Sequence, residues 1–433
     1  MNDTINIFWF RRDLRLNDNH GLYQSLKSGK QVLPVFIFDS DILNKLPDDD
    51  RRVVFIHQKI VQLNLLLKNM GKSLLVLYGR PDDIFKKLIQ DYPVDSVYAN
   101  HDYEPYAIHR DENIKGILNN KGISFYTYKD QVLFEGKEVI KADGTPYKIF
   151  TPYSKAWLKL KHQHGVPEFP SADLLENMVS IVDLGIPSLA QMGFTELVID
   201  FDSDEIQPEI LRNYAETRNF PGLDQTSRLG LHLRFGTISV RDCIRAGEVH
   251  SSAWLNELIW REFFMQILFH YPLVADQAFK PRYDRIEWRN NVDEFELWCK
   301  GKTGFPLVDA GMRELEQTGF MHNRVRMVVA SFLTKHLLID WRWGEAWFAE
   351  KLLDFELSSN NGNWQWAAGS GCDAAPYFRI FNPTEQLKKF DKTAVYVKRW
   401  VPEYETLSYP QPMVDHPFAR QRCLKVYADA LNP

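Results

Sequence analysis

Glu257 and Trp260 lie three residues apart in the segment Trp254 to Tyr271, WLNELIWREFFMQILFHY, a spacing that puts both on one face of a helix. A carboxylate beside an indole on a mostly apolar helix is either a paired core acid next to a packing ring or part of a binding wall, and this segment by itself favours the core reading. A second segment, TGFMHNRVRMVVASFLTKHLLIDWRWGEAWF, places Asn323, Arg324, Arg326 and Met327 at the start of an amphipathic helix that is expected to end near Trp341. Arginines at a helix start oppose the helix dipole, so they should pair with an acid or face a phosphate. In a third segment, LLDFELSSNNGNWQWAAGSGCDAAPYFRIFNP, Trp364 and Trp366 stand with a single residue between them among glycines, small residues and amides. Such a stretch can be an irregular loop with incidental aromatics. Large buried aromatics around a glycine-rich backbone are also what a flat, ring-shaped ligand requires.

These segments need a scaffold, and the chain supplies two textures. From residue 5 to about 130, short β-branched runs alternate with amphipathic stretches: INIFWF, VLPVFIFD at 32 to 39, LLVLYG at 74 to 79, SVYANH at 96 to 101 and ISFYTYKD at 123 to 130. Between them Ile56, Ile60, Leu63 and Leu67 recur at helical spacing within Val53 to Met70. Strands alternating with helices predict a doubly wound parallel sheet. No G-x-G-x-x-G follows the first strand, so the dinucleotide fingerprint is missing and any ligand of this part is not legible. Residues 131–204 read as a proline-containing connector, and residues 205–433 as a helical domain with ten of the chain's twelve tryptophans beyond residue 250. The expected fold class is therefore an α/β domain at 1–130, a connector, and an all-α domain at 205–433.

Composition narrows the function classes. With 433 residues, 45% hydrophobic and 25% charged, the chain has the profile of a soluble globular protein of two or three domains. The N-terminal apolar run is too short for a signal peptide and no stretch approaches a membrane span, so a cytoplasmic protein without a membrane partner is expected. Net charge of −5 argues against coating nucleic acid through bulk electrostatics, so any DNA contact must be local. Cys243, Cys299, Cys372 and Cys423 are scattered without a C-x-x-C pair, which predicts reduced structural thiols and no metal site.

Taken together, these motifs resemble the cryptochrome/photolyase family, most closely its class I cyclobutane pyrimidine dimer photolyases. The likeness runs from FWFRRDLRLNDN near the N-terminus to RIFNPTEQLKKFD. It implies a carbon–carbon lyase of DNA repair that binds FAD, reduced in the active form, in its helical domain and acts on DNA containing pyrimidine dimers. In TSRLGLHLRFGTIS, the resemblance implies that Thr226, Ser227, Arg228 and Leu229 form the pyrophosphate-binding turn, although Gly230 and Leu231 stand where a serine and a proline are common. Tyr214, Trp254, Arg261, Asp354 and Asn360 match further flavin-pocket positions. Asp354 is expected to pair with Arg326, Asn360 to face the reactive nitrogen of the flavin ring, and Glu356 to replace an aspartate beside its pyrimidine edge. Trp260 and Trp366 are implied as the two aromatic walls for a flipped-out dimer, with Glu257 hydrogen-bonding it and Asn323 and Met327 completing the pocket. Arg324 and Arg379, with Lys388 and Lys389, are implied as phosphate contacts. Trp364, Trp341 and Trp288, in that order outward from the flavin, resemble the family's electron-transfer chain.

Three other functions remain in view. A (6-4) photolyase resembles a pattern with two adjacent histidines where this chain has MHNRVRM, so Asn323 disfavours it. A cryptochrome receptor without repair activity commonly carries a long tail, whereas this sequence ends about fifty residues after RIFNP and keeps Glu257, Trp260 and Trp366. An electron-transfer flavoprotein that uses the α/β domain for a nucleotide lacks its glycine fingerprint. For a second, antenna chromophore the folate-type pattern is not matched, because YEPYAIHRD places Tyr106 and Ala107 where an asparagine and a glutamate are usual. A deazaflavin, a flavin or no second chromophore stay open. The protein is expected to act as a monomer.

Overall fold

The computed structural model describes residues 4–180 and 184–432, so residues 1–3, 181–183 and 433, which fall in the expected N-terminal, connector and helical segments, lie outside it. The chain divides into two compact units that do not follow it linearly. The first comprises Met1–Glu135, Leu160–Ile206 and Arg228–Ala246, and the second Gly136–Lys159, Gln207–Ser227 and Gly247–Pro433.

In the first unit five parallel strands run β1 (Ile5–Phe10), β2 (Val32–Asp39), β3 (Leu75–Gly79), β4 (Val94–Asn100) and β5 (Ser124–Tyr128), in the spatial order β3-β2-β1-β4-β5. Parallel strands covered on both faces bury near-continuous apolar runs, and Ile7, Trp9, Val35, Ile37 and Val97 accordingly form the core. Pro34 is tolerated inside β2 because pairing with β3 begins only at Val35, opposite Leu75. The helices His20–Lys27, Arg51–Asn69, Pro81–Asp91 and Pro105–Asn119 alternate with the strands. Asn19 and Asp50 cap two of them, accepting from the backbone N–H of Leu22 and Arg52. At the β1/β4 switch point, where open sheets of this type bind ligands, the crevice is filled by polar side chains. The Asn100 amide donates to Asp13 Oδ2 at 2.6 Å and to Asn19 Oδ1 at 2.7 Å.

Residues Arg228–Ala246, expected in the helical domain, belong to this first unit. A buried ion network holds them there: Arg241 Nε meets Asp18 Oδ2 and its Nη2 meets Asp130 Oδ1, both at 2.8 Å, while Arg15 reaches the same Asp130 oxygen at 2.8 Å. Breaking one partner of such a set strands a buried charge, which costs about 3–5 kcal/mol.

In the second unit the regular elements are helical, apart from an isolated bridge between Ile140 and Pro146. The stretch expected as a connector is shared between the two units and carries the helix Phe150–His164, whose fully buried Trp157 donates its indole N–H to Glu262 at 2.6 Å. The segment expected as one helix to near Trp341 is two. Asn323–Ser331 is α-helical, Phe332–His336 is a π-turn, Leu338 takes a left-handed φ of 52°, and Asp340 caps a new helix, Trp341–Lys351. Among the described residues no helix is long and apolar enough to cross a membrane.

Candidate flavin and lesion site

The glycine- and amide-rich segment is not a loop over most of its length but the helix Leu357–Ala368, which ends at Gly369 with φ of 92°. Trp364 and Trp366, two residues apart, point to different sides of it. Trp364 is 2% exposed and packs edge-on against Phe348 at 5.0 Å and Trp298 at 6.2 Å; Trp366 is half-buried. This helix lies against Ser252–His270 at Gly362, where an added Cβ would sit 2.1 Å from the ring of Phe264, so only hydrogen fits between the two elements.

A cleft with about 610 Å³ of open space, its mouth included, opens between the helices Asn323–Ser331 and Leu357–Ala368. Eight of the expected site residues line it: Asn323, Arg326 and Met327 from the first helix, Asp354 and Glu356 from the loop between, and Asn360, Trp364 and Trp366 from the second. Ala330, Phe348 and Leu352 add an apolar wall. Arg326 and Asp354 meet at 3.0 Å, as expected of them, and Arg326 also donates its Nε–H to the carbonyl of Met321 at 2.7 Å. The amide of Asn360 is held by a bond from Nδ2 to the carbonyl of Glu345 at 3.1 Å. Burial pushes the Glu345 carboxyl up to about 7, and its Oε1 accepts from Asn361 at 3.3 Å.

Beside the cleft stands Ser252–His270, tied to it by Arg261, whose Nε lies 3.3 Å from Glu356 Oε2. Glu257 and Arg261, four residues apart, share a face. Glu257 is paired by Arg218, and Trp260 stacks on Phe150 with ring centroids 3.5 Å apart and planes 5° from parallel. Burial raises the Glu257 carboxyl above its ordinary value despite the opposing guanidinium. Tyr214 lies under Arg218, whose guanidinium carbon is 5.6 Å from the ring centre; burial, then the Glu257 charge, raise its hydroxyl well above the usual phenol range. The Trp254 indole donates to Ser227 Oγ at 3.2 Å. Thr226 and Ser227 belong to the second unit, whereas Arg228 and Leu229 belong to the first, where Arg228 adopts a φ of 51° and lies 3.4 Å from Asp202.

The remaining expected residues lie elsewhere in the second unit. Arg324 donates to Asn219 Oδ1 at 2.5 Å and stacks over Phe390 at 4.4 Å. Arg379 is exposed over Phe381, Lys388 pairs with Glu385 at 2.9 Å, and Lys389 sits over Phe390. Trp341 is 2% exposed in the same core as Trp364, and Trp288 packs on its edge, 6.1 Å from Tyr427. Reading the sequence missed Arg218, Phe150 and Glu345. Arg218 could have been found, being four residues after Tyr214 at the end of the helix Pro208–Thr217; nothing local marks Phe150, which is 110 residues from Trp260 in the chain.

The donor set suits FAD: an apolar slot for a flat ring, amide and carboxylate groups along its edge, and a compensating arginine. Comparison with known proteins agrees. Residues 6–172 match the family model described as DNA photolyase, and residues 254–408 match the FAD binding domain of DNA photolyase. The chain is 35% identical to the deoxyribodipyrimidine photo-lyase of a Synechococcus strain, over 97% of this chain and 96% of that one. Its structure is similar to that of a bacterial class III photolyase from Agrobacterium tumefaciens, with a TM-score of 0.89, 34% identity and coverage of 100% and 99%. It is also similar to an archaeal photolyase from Sulfolobus tokodaii described with two FAD molecules, with a TM-score of 0.86, 33% identity and coverage of 98% and 100%. The chain belongs to the photolyase/cryptochrome family.

Proposed function

We propose that this protein repairs cyclobutane pyrimidine dimers in DNA with light, acting as a cytoplasmic monomer that holds FAD in the cleft of its second unit. The observation that carries the reading is the Arg261–Glu356 pair at 3.3 Å, which joins the helix bearing Glu257 and Trp260 to the cleft lined by Asn360 and Trp364. Full-length similarity to deoxyribodipyrimidine photo-lyases supports it. Bound and reduced, FAD supplies a photoexcitable electron donor that is restored at the end of each cycle. The residues of this chain would do the positioning: Asn360 at the ring edge, Arg326 and Asp354 beside it, Thr226 and Ser227 at the pyrophosphate. Trp366 and Trp260 would flank the extruded dimer, with Asn323 and Met327 closing its pocket. A second chromophore stays part of the proposal, with a deazaflavin, a flavin and an empty site as the alternatives; the Sulfolobus neighbour is described with two FAD molecules.

The deciding experiment mixes reduced protein with a single-stranded oligonucleotide carrying one thymine dimer and compares blue light with darkness. Light-dependent recovery of thymines is expected; binding without repair would move the protein to the cryptochrome reading, and repair confined to (6-4) lesions to the other alternative. Arg324→Ala should weaken binding uniformly across sequences and reduce the salt slope of log Kd by about one, the signature of one lost phosphate contact, as read by fluorescence anisotropy at several salt concentrations. An unchanged slope would take Arg324 off the DNA.

A further inference from the structure

Three guanidiniums, those of Arg218, Arg324 and Arg379, lie close enough in the second unit to act on one another, and one of them, Arg218, is paired with a carboxylate. Arg218 Nη1 donates to Glu257 Oε1. Arg324 is held by the neutral amide of Asn219, and Arg379 lies near enough that it and Arg218 both act against the charge on Arg324, after burial as the main cause. Among the described residues neither Arg324 nor Arg379 is in ion-pair contact with an acid. The group therefore carries an excess of two positive charges, and Arg218 is shared between its one anion and that excess. Side-chain exposures of 37% for Arg218 and 35% for Glu257 leave the pair within reach of a ligand.

Few other charges bear on Glu257. The helix Pro208–Thr217 contributes Tyr214 beside Arg218. On its own helix Arg261 is engaged by Glu356, which comes from the start of Leu357–Ala368. Among the described residues Arg218 is thus the cation that favours the charged form of Glu257 against the pull of burial, which still raises the carboxyl above its ordinary value.

We propose that Arg218 is a displaceable latch on Glu257: a DNA phosphodiester takes the guanidinium, and Glu257, left without its cation beside the lesion, takes up a proton from solvent and becomes a hydrogen-bond donor. This rests on the DNA-repair reading above. An ionised carboxylate only accepts hydrogen bonds and would face the carbonyl oxygens of a pyrimidine dimer as a like partner, whereas the neutral acid donates to them. Arg218 is in this scheme a positioning residue that acts through Glu257. The phosphate gains a charge-assisted contact, and the proton enters only when DNA is in place.

Linkage fixes the sign. Glu257 binds its proton more tightly in the complex than in the free protein, so binding must take up protons and affinity must rise as pH falls between the two titration points. Above and below that window affinity is flat. The test is calorimetric titration of the FAD-loaded protein with the dimer oligonucleotide in the dark, at constant ionic strength, in buffers of differing ionisation enthalpy. Across the pH range between the two titration points, uptake approaching about one proton per complex is expected, with Kd tightening as pH falls by up to about tenfold per pH unit. Glu257→Gln should bind with a flat profile and no uptake from this site. Arg218→Gln should bind more weakly with uptake reduced, because loss of the guanidinium lets burial raise the Glu257 carboxyl further in the free protein. Infrared difference spectra of the complex should gain a protonated-carboxyl band that Glu257→Gln lacks. Binding without proton uptake in the unsubstituted protein, or uptake and band unchanged in Glu257→Gln, overturns the latch while leaving the repair reading standing; absence of binding overturns both.

Discussion

Trp364→Phe should abolish light-driven reduction of the oxidised flavin, with a drop in rate of at least about tenfold, and leave repair by chemically reduced protein unchanged. Trp364 lines the cleft, is 2% exposed, and is wedged between Phe348 and Trp298. Phenylalanine keeps the apolar contacts but lacks the readily oxidised indole, so the substitution separates electron supply from packing. The loss of ring volume leaves a small void costing about 1–3 kcal/mol, which the fold can absorb if the flavin stays bound. The measurement is the bleaching of the oxidised-flavin absorbance under blue light, followed by dimer repair after dithionite reduction. Unchanged bleaching would assign the electron to another donor and remove Trp364 from that role. Repair lost together with bleaching would make Trp364 a structural wall of the cleft.

Gly344→Ala is expected to have a comparable effect through packing alone. A Cβ at this position would lie 2.2 Å from the Trp364 ring and 2.6 Å from Leu333 Cδ2, both in the buried core. Rings cannot yield by that distance without leaving their rotamers, and overpacking of this kind costs about 1–3 kcal/mol or more. Trp364 also lines the cleft, so displacement of its ring is expected to disturb the flavin slot. Denaturant midpoint and the flavin-to-protein ratio should therefore fall together. A variant that loses stability but keeps full flavin content would show that Trp364 yields toward the core instead.

The inner strands β1, β2 and β4 were legible because parallel strands buried on both faces read as near-continuous apolar runs; each expected run overlaps an observed strand, and Trp254 to Tyr271 became the helix Ser252–His270. Helix breaks were less visible. The pattern MVVASFLTKHLLID stays apolar through the π-turn and past Leu338, since burial on all sides erases the periodicity that would mark an end. The capping aspartate before Trp341 was the local signal available.

Local sequence determined the alternation of strands and helices, the helix faces on which Glu257 sits with Trp260 and Arg261, and the motifs that carry the family likeness. Those properties depend on neighbours within a few residues, where backbone geometry sets which side chains share a surface. Tertiary structure decided the rest: that Arg228–Ala246 joins the first unit through Arg241, that Phe150 covers Trp260, and that Arg218 reaches Glu257 from 39 residues away. Ion pairs and stacked rings are set by distance in space, and burial determines how strongly each charge is felt; neither quantity is written in spacing along the chain.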